Sequence, residues 1–119
     1  YIDANFQTRA DKAHRAMAGL SMGAFETKLI TLRRPEMFNY YGLMSGGQYA
    51  PTDIKDAKQV KLIFQSCGSQ ENPDAIKKST EARKAAGHNA VGYVSDGTAH
   101  EFQTWRRSLK ELAQLLFKK

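Results

Sequence analysis

Gly19-Leu20-Ser21-Met22-Gly23 sits between an apolar run at residues 13–20 and a segment of helical periodicity. This is the setting in which a strand turns directly into a helix with a serine at the apex. Glycine on either side of such a turn permits the sharp reversal and leaves the hydroxyl open to approach. Ser21 is therefore a candidate nucleophile. A G-x-S-x-G pentapeptide arises by chance in many chains, so its weight depends on what flanks it.

Downstream, Phe25, Leu29 and Leu32 recur at helical spacing between Met22 and Arg33, and Pro35 prevents continuation past Arg34. The small residues Gly23 and Ala24 open this helix where it is expected to press against the preceding strand. A second apolar run at residues 38–44 closes on Ser45-Gly46-Gly47, which has the conformational freedom of a loop. Residues 60–67 form the clearest strand, because Val60-Lys61-Leu62-Ile63-Phe64 is nearly continuous in apolar residues, as in a parallel strand covered on both faces. Asn72-Pro73-Asp74 then offers a capping side chain, a proline where no donor is needed, and an acid at the positive end of a helix. Gly87 ends that helix, residues 90–95 form a fourth strand closed by Asp96-Gly97, and a final helix places Trp105, Leu109, Leu112 and Leu116 on one face. Strands alternating with helices predict a parallel sheet with right-handed crossovers, an α/β fold. The polar stretch at residues 48–59, which includes Pro51, carries no pattern that places it.

The composition fits one globular domain spanning residues 1–119. Apolar residues make up 41% and charged residues 25% of the 119, which excludes a disordered chain. No apolar run approaches the ~20 residues needed to span a bilayer, and no membrane partner is expected. The net charge of +6 is spread singly or in pairs along the chain, without a stripe of interleaved aromatics. Solvated helix faces explain it better than a nucleic-acid surface. The single cysteine, Cys67, makes neither an internal disulfide nor a metal site, and no metal or cofactor is expected. Tyr1-Ile2-Asp3-Ala4-Asn5-Phe6 reads as the tail of a helix already under way, without a leader sequence, so we expect a segment of a longer polypeptide.

A serine hydroxyl needs a base to take its proton, and the base needs a carboxylate to hold its tautomer. His14 falls at the start of the first strand, far from the turn, and His88 stands beside the Gly87 helix stop, so both are expected at the surface. His100 follows the fourth strand, at the carboxyl edge where ligands of open parallel sheets bind, and is the candidate base. The acid is expected after a strand between serine and histidine. Glu71 meets that rule, whereas Asp74 is explained as a first-turn helix acid and Asp96 as a turn former; both remain alternatives. The backbone N–H of Met22 is the expected oxyanion donor. Cys67, within an apolar strand, and Trp105, on an apolar helix stripe, are read as core residues.

Three stretches together resemble a known family: Arg15-Ala16-Met17-Ala18-Gly19-Leu20-Ser21-Met22-Gly23, Cys67-Gly68-Ser69-Gln70-Glu71, and Gly97-Thr98-Ala99-His100-Glu101-Phe102-Gln103-Thr104-Trp105-Arg106-Arg107. They are similar to the putative-esterase group of α/β-hydrolases and look most like carbohydrate esterase family 1, the feruloyl and acetylxylan esterases of plant cell wall breakdown. The resemblance implies the C-terminal half of an α/β-hydrolase fold, about four parallel strands alternating with helices. It implies Ser21 as nucleophile, His100 as base and Glu71 at the position of the acid, where the family usually shows Asp. Ala24 stands where a second glycine is common.

The activity implied is that of a serine carboxylesterase acting through an acyl-enzyme on feruloylated or acetylated cell wall polysaccharide, with ferulate favoured over acetate. Acetylxylan esterase, S-formylglutathione hydrolase, siderophore esterase and mycolyl-type acyltransferase share the same serine turn and are the alternatives. A non-catalytic fragment or carbohydrate-binding module is the alternative of another class. The resemblance further implies a secreted or periplasmic location. Upstream strands with the second oxyanion donor and much of the cleft would come from a second chain or a swapped assembly. The first strand would then be an interior strand left as an edge, and so an association site.

Overall fold

Leu62-Ile63-Phe64-Gln65-Ser66-Cys67-Gly68 is buried at every position, the burial expected of a strand with neighbours on both sides and layers on both faces. In a computed structural model, which describes residues 1–50 and 52–118, this strand pairs on both edges. Along the chain follow a short helix α1 (Ile2–Asn5), a 3-10 turn (Lys12–His14), β1 (Ala16–Leu20), α2 (Met22–Arg33), β2 (Tyr40–Met44), β3 (Leu62–Gly68), α3 (Pro73–Ala85), β4 (Ala90–Ser95) and α4 (Phe102–Ala113). The four strands lie in the order β1-β2-β3-β4, all parallel. The expected α/β fold is therefore present, with the first strand starting at Ala16 because the three residues before Arg15 form the 3-10 turn capped by Asp11.

Alternation along the strands divides the core in two. Tyr41, Leu43 and Ile63 point to one face, where Ala24, Tyr49, Ile54, Val60 and Ala90 join them. Tyr40, Met44, Leu62 and Phe64 point to the other, against Leu112 of α4. The unplaced stretch at residues 48–59 thus supplies core: Tyr49 and Ile54 are buried, and this segment covers the sheet between β2 and β3 in place of a helix. Pro51 lies outside the described residues. Tyr49 is held by a hydroxyl bond with Thr31 at 2.5 Å and by its N–H donating to Gln65 Oε1 at 3.1 Å. Burial pushes its phenol well above the ordinary value, so it stays neutral.

Three helical details differ from the sequence reading. α2 has the expected bounds, but the residues it buries are Ala24, Thr27 and Thr31, while Phe25 and Leu29 are exposed. α4 buries Thr104, Ser108 and Leu112 at i, i+4, i+8, which turns Leu109 outward, and the helix ends before Leu116. His88 is buried rather than at the surface. The cause is the end of α3, where Gly87 at φ +90 lets its N–H bond Lys84 O and the His88 N–H bond Arg83 O, a closure that tucks the following residue inward.

The turn at Ser21 depends on one close approach. A Cβ on Gly19 would overlap the Gly23 carbonyl, so β1 and the first turn of α2 meet only because Gly19 has none. Gly23 contributes differently from the expectation, since a Cβ there would meet nothing within 4 Å. Gly19→Ala is expected to lower stability by about 2 kcal/mol or more, as overpacking against rigid backbone does, whereas Gly23→Ala changes it little. Urea unfolding midpoints of the two variants check this.

Candidate active site

At the carboxyl edge of the sheet the ladder continues one step past each strand. Ser21 N–H donates to Met44 O, Ser45 N–H to Ser66 O and Ser69 N–H to Ser95 O, each at 2.8 Å. The loops leaving β1, β2 and β3 are thereby fixed to their neighbours at the same edge. Ser21 is the N-cap of α2 with φ 56 and ψ −120, a backbone geometry unusual for a non-glycine residue. The following residue, Met22, is the first of α2, where a backbone N–H has no acceptor within the helix.

Glu71 and His100 arrive from the other side of this edge. Gly68 allows it, because a Cβ there would overlap the Thr98 carbonyl, so the ends of β3 and the loop after β4 lie in direct contact. Glu71 curls back on the strand end, its N–H donating to Gly68 O at 3.0 Å. The His100 loop is tied down by Thr98 Oγ1, which donates to Ser95 O, by Thr104 Oγ1, which donates to Thr98 Oγ1, and by Arg107, which donates to Ser95 Oγ and Asp96 O.

These supports bring three expected residues together. Ser21 Oγ is 2.8 Å from His100 Nε2, and His100 Nδ1 is 2.9 Å from Glu71 Oε2. The carboxylate facing His100 is Glu71; Asp74 lies in the first turn of α3 and the Asp96 carbonyl receives Arg107. His14 is occupied elsewhere, with Nδ1 2.6 Å from Asp11 and Nε2 3.1 Å from Arg9. Cys67 is buried, and burial together with the Glu71 charge raises its thiol above the ordinary value, consistent with packing rather than reactivity.

Two residues near the site escaped the sequence reading. Ser45 Oγ is 2.8 Å from Glu71 Oε1, and Trp105 Nε1 donates to Ser45 Oγ at 2.9 Å. Trp105 does pack against the α4 side of the core, as expected, but its ring also meets the His100 ring edge-on, with centroids 5.2 Å apart at 90°. The available signals were positional: Ser45 directly follows a strand at the same edge as Ser21, and Trp105 lies in the helix that starts two residues after His100.

Burial of Glu71 works against its ionisation. The Gly68 N–H at 2.8 Å outweighs it together with hydrogen bonds from His100 and Ser45 and the histidine's charge, so the carboxyl titrates below its ordinary 4.5. A parallel sheet whose carboxyl edge carries a serine turn, a histidine and a carboxylate in hydrogen-bonded sequence defines a hydrolase-like α/β architecture. The chain belongs to the Esterase family, whose model, described as "Putative esterase", matches residues 1–72.

Among curated proteins, an endo-1,4-beta-xylanase/feruloyl esterase of Xylanibacter ruminicola is 68% identical over 117 residues, which are 98% of this chain and 16% of that protein. Among solved structures, a variant of the feruloyl esterase module from Clostridium thermocellum complexed with sinapinate superposes with a TM-score of 0.75 at 19% identity, over 97% of this chain and 53% of that one. An S-formylglutathione hydrolase from Staphylococcus aureus superposes with a TM-score of 0.71 at 15% identity, over 98% and 56%. The chain thus spans about a sixth of the curated relative and just over half of these structures.

Because the Glu71 carboxyl titrates lower folded than unfolded, its contribution to stability is complete above pH 4.5 and declines as pH falls through the folded value. The stability difference between wild type and Glu71→Gln is therefore expected to narrow as pH falls below about 4.5. Denaturant unfolding on either side of pH 4.5 measures the difference; a gap that fails to narrow below about pH 4.5 contradicts the assignment of these hydrogen bonds.

Proposed function

We propose that this chain carries the catalytic triad of a serine carboxylesterase acting on feruloyl esters of plant cell wall polysaccharide. The observation that carries the reading is the continuous hydrogen-bonded sequence Ser21 Oγ, His100 Nε2, His100 Nδ1, Glu71 Oε2 at 2.8 and 2.9 Å on the strained serine turn. Glu71 accepts a hydrogen bond from His100 Nδ1–H, which fixes the tautomer that leaves Nε2 bare to receive the proton of Ser21. Ser21 Oγ then bonds to the ester carbonyl carbon as His100 takes its proton. The tetrahedral intermediate collapses by breaking the carbon–oxygen bond to the sugar, whose oxygen takes the proton from His100. Water repeats the sequence on the acyl-enzyme, releasing the acid and restoring Ser21.

The Met22 N–H is the first oxyanion donor in this reading, since it stands next to the nucleophile with no helical acceptor. The 68% identity to a protein named as a xylanase/feruloyl esterase favours ferulate as the acyl group. We further propose that preceding strands of the same polypeptide complete the sheet beside β1 and bring the second oxyanion donor. The partly exposed β1, with Leu20 41% exposed, and the exposed apolar residues Met22, Phe25, Leu29 and Ile30 on α2 offer apolar surface suited to such a cover.

In the full polypeptide, Ser21→Ala and His100→Ala are each expected to lower kcat on methyl ferulate by at least about a thousandfold, with smaller rates on acetylated xylan and S-formylglutathione in the wild type. Steady-state assays on the three substrates check both statements. Undiminished ferulate turnover by Ser21→Ala would remove the triad reading, and a preference for S-formylglutathione would move the substrate class. Residues 1–119 alone should hydrolyse an activated aryl ester barely above background.

A further inference from the structure

Resting on the triad reading above, we propose that Ser45 and Trp105 are positioning residues that orient the Glu71 carboxylate toward His100. Glu71 places its two oxygens in different company. Oε2 faces His100 Nδ1, while Oε1 is 2.8 Å from both the Gly68 nitrogen and Ser45 Oγ. A hydroxyl is both donor and acceptor and its rotor is free, so Ser45 alone would not guarantee a proton for Glu71. Trp105 removes that freedom. An indole N–H can only donate, and at 2.9 Å it occupies the acceptor side of Ser45 Oγ, leaving the Ser45 proton for Glu71 Oε1.

The result is a one-directional chain in which Trp105 donates to Ser45, Ser45 donates to Glu71, and Glu71 accepts from His100. The same indole closes the chain, because its ring stands perpendicular to the imidazole at 5.2 Å and limits rotation of His100. Such an anchor matters for glutamate. Its side chain has one more rotatable bond than aspartate, and with His100 half-exposed the pair is not held by burial alone. Ser45 itself is buried at φ 59, held by its N–H to Ser66 O, so its hydroxyl is presented from fixed backbone.

A double-substitution cycle in the full polypeptide tests this. Ser45→Gly removes the hydroxyl at a positive φ that glycine adopts freely, and Trp105→Phe removes the N–H while keeping a ring. Each is expected to lower kcat on methyl ferulate about tenfold with KM unchanged, Ser45→Gly by removing one hydrogen bond to the Glu71 carboxylate and Trp105→Phe by removing the donor that orients Ser45. In a Glu71→Ala background the Ser45→Gly loss should shrink to less than about twofold. Equal losses in both backgrounds, or single variants with wild-type kcat, overturn the proposal; thermal midpoints identify any variant whose loss is unfolding, and Trp105→Phe then stands in for Ser45→Gly. If Glu71→Ala itself keeps full kcat, the acid assignment fails and the proposal with it. That outcome is distinct from an enzyme that needs Glu71 and ignores Ser45.

Discussion

The contact between Gly19 and the Gly23 carbonyl sets the conditions for everything at the carboxyl edge. Because no Cβ intervenes, β1 passes into α2 within one residue, and that residue, Ser21, takes the strained backbone that lifts its hydroxyl above the sheet. Its N–H is anchored on Met44 O, so strain at the apex is borne by the β1–β2 ladder rather than relaxed by a shift of the loop. A second close approach, Gly68 against the Thr98 carbonyl, does the same for the other half of the site. Two glycines on two strands thus bring together side chains that lie 79 residues apart in the chain.

Parallel pairing explains why the contributing loops share one edge. Every strand ends on the same side, and every loop that leaves it starts there. Ser21, Ser45, Glu71 and His100 come from the loops after β1, β2, β3 and β4 in turn. Each loop carries one polar group into a chain of hydrogen bonds, and the layer beneath is a two-sided core that holds the strand ends in register. The site is therefore built on the strand ends, with His100 exposed and Glu71 largely covered.

Much of this was legible in the residues. The strands and the serine turn follow from apolar runs ending in glycine or serine, and α3 follows from Asn72, Pro73 and Gly87, because those signals are local. Sheet-edge logic reached His100 and put Glu71 first among the acids, while leaving Asp74 and Asp96 open. The loop at residues 48–59 was not, since its burial of Tyr49 and Ile54 depends on partners in α2 and β3 rather than on a pattern of its own. His88 was misread for a related reason: the helix closure at Gly87 that buries it is a backbone event. Ser45 and Trp105 carried ordinary local readings, a loop serine and a core aromatic, and only their meeting 60 residues apart assigns them to the site. The outward face of α2 shows the limit of periodicity, which identifies an apolar stripe without saying what covers it.

We propose that Ser21 forms a covalent acyl intermediate with His100 as its general base and Glu71 holding the imidazole in place. Acid-quenching the full polypeptide during turnover of an activated ferulate ester, followed by peptide mass analysis, tests it most directly. A feruloyl ester on the peptide containing Ser21, absent from the Ser21→Ala variant, is the result predicted. A feruloyl group on any other residue, or brisk turnover without an adduct on Ser21 when deacylation is slowed, would contradict it.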